Sequence, residues 1–272
     1  MHGMPCFPNA FTRSRKLPLP SLIAVLLSMR ETSQQVMLDS FSGSLRGDGE
    51  LHRAISDREF AKARERLSWN ALQRLNVFAV AAADRLGFIQ RWQGLRVVAT
   101  NASVFFPAVR ACPNLKGFAA SFNQRLFSLF LPGAELTLYA QVHGEHTAER
   151  QMLFEALAQL GPDDVLVLNR GYPATWLVAY LNEHKIRFCT RCDKVNRCKA
   201  MRALLDSGNT EATVTLKKPN QRDVTDYQCS GAAPQLRLVR HLTPDGRIWV
   251  LATNLSEVDF PAEVFGDLYH QR

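Results

Sequence analysis

The chain has 272 residues, 46% of them hydrophobic, with 33 Lys and Arg against 25 Asp and Glu and a net charge of +8. That composition excludes a disordered chain and leaves room for one large or two modest domains. The positive balance favours an acidic partner such as DNA, although a basic surface also suits a membrane or simple solubility.

Residues 1 to about 16 carry Pro5, Pro8 and the basic cluster Arg13, Arg15 and Lys16 ahead of any periodic pattern, and read as an extended arm. The apolar run Leu22 to Leu27 follows them, but Arg30 and Glu31 come at once and no small-residue cleavage site is visible. The run is far below the ~18 residues that span a bilayer, so a buried helix and no membrane partner are expected. Six cysteines without an export signal fit a reducing compartment, so the cytoplasm is the expected location. From Leu22 to Phe41 apolar residues recur every three or four positions, the pattern of one or two helices, and Ser42 to Gly49 reads as a loop. Ser56-Asp57-Arg58-Glu59 has the form of a capping box opening a helix from Phe60 to Leu67, and Ser68 can cap a second from Ala71 to Leu86. Arg58, Lys62, Arg64 and Arg66 make the first of these basic. The face is either solvated and laced by pairs to Glu59 and Glu65, or a DNA-binding surface. Residues 1–92 are thus expected as a helical amino-terminal region.

Gly94 to Ser103 begins a second region, 93–200, with a strand. Ala119 to Leu131 and Ala134 to Val142 follow as strands about a Pro132-Gly133 turn, and Glu149 to Leu160 has helical spacing. Asp163 to Leu168 holds four consecutive apolar residues between Gly161-Pro162 and Gly171, which is how a buried parallel strand reads. It should end near Asn169. Pro173 can open the next helix, running to about Lys185, and Ile186 to Cys189 is a further strand. The order β-β-β-α-β-α-β is the layout of a ribonuclease-H-like α/β core, in which functional groups collect at carboxyl ends of strands. Asn169 sits at one such end.

Residues 201–255 alternate as strands at Ala212–Leu216, Leu236–Val239 and Ile248–Leu251, the last two joined through Pro244-Asp245-Gly246, and read as a β-rich insertion. Within 256–272 a helix starts at Pro261. Cys189-x-x-Cys192 with Cys198, and His184 or Cys229 as distant fourth ligands, allows a zinc reading, but buried or idle thiols are the expectation. His143 and His146 read as loop histidines.

The run Leu168-Asn169-Arg170-Gly171-Tyr172-Pro173 resembles the second-aspartate motif of DDE-type insertion-sequence transposases of the IS-four-like family, in the branch with a terminal Tyr-x-x-Arg-x-x-x-Glu. The match is specific from Arg170 to Pro173. Ile55 to Arg64 resembles the same family's amino-terminal helical region, which tips Arg58, Lys62 and Arg64 towards DNA contact. Arg96-Val97-Val98-Ala99-Thr100-Asn101 resembles its first catalytic strand, and Tyr269-His270-Gln271-Arg272 fits the Tyr-x-x-Arg half of the terminal motif. The resemblance implies Mg²⁺-dependent DNA cleavage and strand transfer at element ends, with two aspartates and a glutamate as metal ligands and self-association possible. It makes Asn101 and Asn169 the positions of the aspartates, and Arg170, Tyr172, Tyr269 and Arg272 DNA- or site-supporting residues.

Both aspartate positions carry asparagine, and the glutamate would fall four residues after Arg272. An amide offers one carbonyl oxygen and no charge, so the expectation is a degenerate or truncated copy that holds no Mg²⁺ and does not cleave. Asp163 and Asp164 lie at the wrong end of their strand to substitute. The alternative is a non-catalytic DNA-binding protein that interferes with an intact transposase.

Overall fold

The structure, a computed structural model, describes residues 17–28, 33–47, 50–105, 123–192 and 199–271. The basic arm with Arg13, Arg15 and Lys16 lies outside the described residues, as do Cys198 and Arg272. The chain divides into two compact units, Met1–Val77 and Phe78–Arg272.

In the first unit, α1 (Leu19–Leu27) starts behind Pro18, whose fixed φ suits a helix entry. Helix α2 (Gln34–Arg46) is capped by Ser33, which accepts from the Val36 N–H. Helix α3 (Asp57–Glu65) opens on the expected capping box, with Ser56 and Glu59 satisfying each other's backbone donors. Leu22, Val25, Leu38, Ile55 and Phe60 meet in a small core. The loop expected over 42–49 begins instead at Gly47, the left-handed residue that ends α2. The Ser42 and Ser44 hydroxyls bond back to the Leu38 and Ser40 carbonyls, so these polar residues stay within the helix. Gly43 is required there by packing, since a Cβ would collide with the Glu50 carbonyl oxygen.

Helix α4 (Trp69–Arg85) leads into the second unit. There β1 (Arg91–Trp92), β2 (Leu95–Phe105), β3 (Gln124–Leu131), β4 (Leu136–Gly144), α5 (Glu149–Ala156), β5 (Asp164–Leu168), α6 (Thr175–Glu183) and β6 (Arg187–Cys192) follow the β-β-β-α-β-α-β order. Helix α7 (Lys199–Ser207), β7 (Glu211–Thr215), α8 (Gln221–Tyr227), β8 (Gln235–Leu242), β9 (Ile248–Thr253) and α9 (Phe265–His270) complete it. The sheet runs β4-β3-β2-β5-β6-β9-β8-β7, with β1 on β2. The β2–β5 and β5–β6 pairs are parallel and the others antiparallel. Two antiparallel strands beside β2, with two parallel strands on its other side, give the ribonuclease-H-like mixed sheet. Strands β7 to β9, read from sequence as an insertion, continue that sheet through the β6–β9 pair.

The sheet has a core on each face. Val98, Leu166, Leu168 and Phe188 pack with Leu153, Trp176 and Leu177 on one side. On the other, Val97, Val165, Val167, Cys189 and Leu251 pack under Phe265 and Leu268 of α9. Every residue of β5 is buried, as its unbroken apolar run requires. The helix after the site turn begins at Thr175 behind Ala174, so Pro173 belongs to the turn and not to the first helical position.

The amino end of the β2–β5 pair is fastened by Arg96, which donates from Nε (2.6 Å) and Nη2 (2.9 Å) to the two carboxylate oxygens of Asp164. Asp164 is 3% exposed at its side chain and also accepts the Gly161 N–H. Hydrogen bonding to Asp164, the largest cause, raises the Arg96 pKa against the opposing effect of burial. Asp164→Ala should therefore destabilise the unit by about 3 kcal/mol, the low end for a broken buried pair because Arg96 keeps Asp84 at 3.8 Å. Urea unfolding measures this directly; a loss below about 1 kcal/mol would show that the pair does not fasten the register.

Candidate nucleic-acid interface

Strand β2 hands the chain sideways to β3, whereas β5 hands it the other way, through α6 to β6. Neighbouring parallel strands whose connections diverge leave a crevice at their carboxyl ends, the usual ligand position in an open α/β sheet. The β2–β5 register pairs Val97 with Val165 and Ala99 with Val167. The paired rungs end there; continued two residues, the same register would bring Asn101, which lies inside a β2 that runs on to Phe105 beside β3, level with Asn169, one residue past β5. Both continue the rows that face α9, because side chains alternate along a strand.

Asn169 is half-buried, and its Oδ1 accepts the Arg170 N–H at 2.8 Å. Its own carbonyl accepts from Tyr172 N–H and from Thr190 Oγ1. Arg150 on α5 donates from Nε to the Tyr172 carbonyl (3.0 Å) and from Nη2 to the Gly171 carbonyl (2.9 Å), tying down a turn with few bonds of its own. Asn101 is exposed, opposite Ser128 on β3. Among the described residues, neither the Asn101 side chain nor Asn169 Nδ2 meets a hydrogen-bond partner.

The β5–β6 register ends at Leu168 with Thr190, and its next step brings Arg191 level with Asn169. Arg191 lies opposite Leu251 of β9, on the α9 face, with its guanidinium 4.5 Å from the Trp249 ring centre. Trp249 is crossed by Tyr269 (5.6 Å) and His270 (5.3 Å) of α9, and it pairs across strands with His241. Ser128, Asn101, Asn169 and Arg191 therefore form one row across four strands. Sequence reasoning missed Arg191, Trp249 and His241, since only cross-strand register brings them to the sheet face that α9 covers.

The other expected site residues are placed as follows. Arg170 is exposed on the site turn. Tyr172, expected to support DNA, is 2% exposed and belongs to the larger core, so its ring braces the turn from beneath and cannot reach a phosphate. Tyr269 is half-buried against Trp249. Arg58, Lys62 and Arg64 belong to the first unit and all three are exposed; Arg58 and Lys62 are one helical turn apart, while the Arg64 guanidinium leans over Phe60 at 6.0 Å. Asp164 is committed to Arg96, at the opposite end of β5 from Asn169.

The described cysteines do not assemble. Cys189 and Cys192 both lie within β6 and, three residues apart, point to opposite faces of the sheet. Burial pushes the Cys189 thiol far up, and Cys229 belongs to the other core. His184 stacks on Tyr180 at 4.0 Å. His143 faces Glu155 at 3.8 Å. Among the described residues no three His, Cys, Asp or Glu side chains are grouped to hold a metal ion, and no helix is long and apolar enough to cross a membrane.

No family model and no curated protein matches the chain. Among solved structures, the piggyBac transposase synaptic complex with hairpin DNA is similar at 12% identity and a TM-score of 0.40, over 98% of this chain and 64% of that one. The chain thus spans less than two thirds of that protein. Endonuclease V from Ciona intestinalis, in complex with DNA containing inosine, is similar at 13% identity and a TM-score of 0.26, over 80% and 90% of the two chains. The Mos1 transposase paired-end complex is similar at 12% identity and a TM-score of 0.20, over 77% and 59%. The fold assignment rests on the strand order of this chain.

Helix α9 seats on His241, and a Cβ at Gly266 would collide with that imidazole. Burial, and then the neighbouring His270, lower the His241 pKa, with Asp267 opposing. The folded state then binds fewer protons than the unfolded chain between the lowered pKa and about 6.5, so stability falls as pH drops through that window. Replacing His241 with Asn should flatten the pH dependence of urea midpoints below about pH 6.5. Unchanged pH dependence would show that His241 does not stay neutral beneath α9.

Proposed function

We propose that this chain is a DNA-binding protein of the DDE-transposase type whose catalytic centre has lost the charge needed to hold its metal ions. The observation that supports this reading is the parallel β2–β5 register, which ends at Ala99 with Val167 and, continued two residues, would bring Asn101 level with Asn169, the two positions where the resemblance puts aspartates. The Arg170-Gly171-Tyr172-Pro173 turn, held by Arg150, supports the same assignment.

Phosphodiester cleavage by two divalent ions needs oxygen ligands that also bring negative charge. The residues present do not fit Mg²⁺. Each asparagine is uncharged with one carbonyl oxygen, and that of Asn169 is occupied by the Arg170 N–H. Cleavage and strand transfer are therefore not assigned to this chain. What its residues can still do is bind the DNA backbone. The net charge of +8 supplies the attraction, and the exposed Arg58, Lys62 and Arg64 on α3 are proposed phosphate contacts. The proposed target is insertion-element ends, which a chain of this kind would occupy without cutting, in competition with an intact transposase.

The test is nicking of supercoiled plasmid and of element-end duplex in Mg²⁺ or Mn²⁺, run beside duplex binding at several salt concentrations. The reading expects no nicking, and binding that weakens steeply with salt as counterions are released. Metal-dependent nicking by the unaltered chain would overturn the loss of catalysis. Absence of binding at low salt would overturn the DNA reading.

A further inference from the structure

We infer that the row Ser128, Asn101, Asn169 and Arg191 is a metal-independent phosphate site, built to take a phosphodiester of a nucleic-acid strand where the transposase-type centre would take metal ions. The inference rests on the proposed DNA reading for its source of phosphate, and on the geometry alone for its chemistry.

Four observations carry it. First, Asn101 pairs with Ser128, and the β2–β5 and β5–β6 registers, continued past their last rungs at Ala99 with Val167 and Leu168 with Thr190, would bring Asn169 and Arg191 to the same level on the same face. Asn101 and Ser128, which are paired, are about 5 Å apart through the backbone, the spacing of paired strands. Second, every member can donate a hydrogen bond and none is acidic. Third, the Asn169 amide is oriented. Its oxygen is fixed on the Arg170 N–H, so the two Nδ2 hydrogens are left to point away from the turn, and they meet no partner among the described residues. A dication needs the oxygen that is consumed, whereas an anion needs the hydrogens that are left. Fourth, two carboxylates of this unit that could have competed serve elsewhere. Asp164 is bound to Arg96 at the far end of β5, and Asp267 lies on α9, where its charge acts on His241. The Arg191 guanidinium, over the face of Trp249, adds the positive charge. A planar cation and two side-chain amides are the groups that recognise phosphate oxygens directly.

The test uses the full chain in EDTA at constant ionic strength and has two arms. In the first, inorganic phosphate is titrated while the side-chain amide NMR signals of Asn101 and Asn169 are followed, each identified by its loss in Asn101→Asp and Asn169→Asp. In the second, affinity for a DNA duplex is compared among the wild type and those two variants. Aspartate keeps an acceptor for the Arg170 N–H, and Asn101 is exposed, so both variants retain the local structure.

The expected result is that phosphate shifts both amide signals, that either Asp variant binds duplex about tenfold more weakly or worse because a carboxylate now faces the phosphate, and that Mg²⁺ does not improve wild-type binding. Amide signals unmoved by phosphate, with Asp variants binding duplex like the wild type, would overturn the site while leaving DNA binding intact. Amide signals moved by phosphate without any duplex binding would keep the phosphate site and overturn the DNA reading. A wild type that binds duplex only when Mg²⁺ is added would overturn the metal-independent claim.

Discussion

The parallel pairing of β2 with β5 is the constraint on which the site depends. Val97, Val98, Leu166 and Val167 are buried on both faces of the sheet, so a slip of one residue would exchange the two cores and turn the strand-end residues over. The bidentate Arg96–Asp164 pair fixes the same register from the amino end, where its charges are satisfied within the fold. Between these fastenings the positions of Asn101 and Asn169 are set by the strands, and their own side chains contribute little to that placement. Arg150 performs the corresponding task for the turn, holding two of its carbonyls from α5.

This separation of support from chemistry explains how the fold can stand without the carboxylates that its resemblance implies. Two carboxylates at adjoining strand ends repel each other unless a cation lies between them. Two amides impose no such cost, and the core below them is made of Val and Leu that never touch the ligand side. Under the proposed assignment, an amide in place of an acid at both positions removes the negative charge that would attract a dication.

Much of the sheet was legible in the sequence because its signals are local. The apolar run of β5 between Gly-Pro and Gly, the β-β-β-α-β-α-β order and the Asp245-Gly246 turn between β8 and β9 all depend on neighbours in the chain. The attachment of β9 to β6 depends on pairing between segments far apart in the chain, and no local pattern announces it. Helix α8 escaped notice because it is short, polar and buries none of its residues. Gly43 looked like loop punctuation, whereas its role is to let the Glu50 backbone pass over α2. For the site, Asn169 was visible as a strand end, whereas Asn101, expected at one, lies inside β2, which continues to Phe105 beside β3; Tyr172 was assigned by its motif when its burial decides its role. Arg191, Trp249 and His241 come together on the α9 face only through register on β6, β9 and β8.

The central claim is that positions 101 and 169 converge on one ligand and that their amides forbid a dication there. Mn²⁺ binding followed by electron paramagnetic resonance tests it most directly, comparing the wild type with the double variant Asn101→Asp, Asn169→Asp. The account predicts no Mn²⁺ held by the wild type at these positions and one Mn²⁺ gained by the double variant, with either single change gaining much less. Equal Mn²⁺ binding by the wild type, lost on Asn169→Ala, or no gain in a folded double variant, would contradict it.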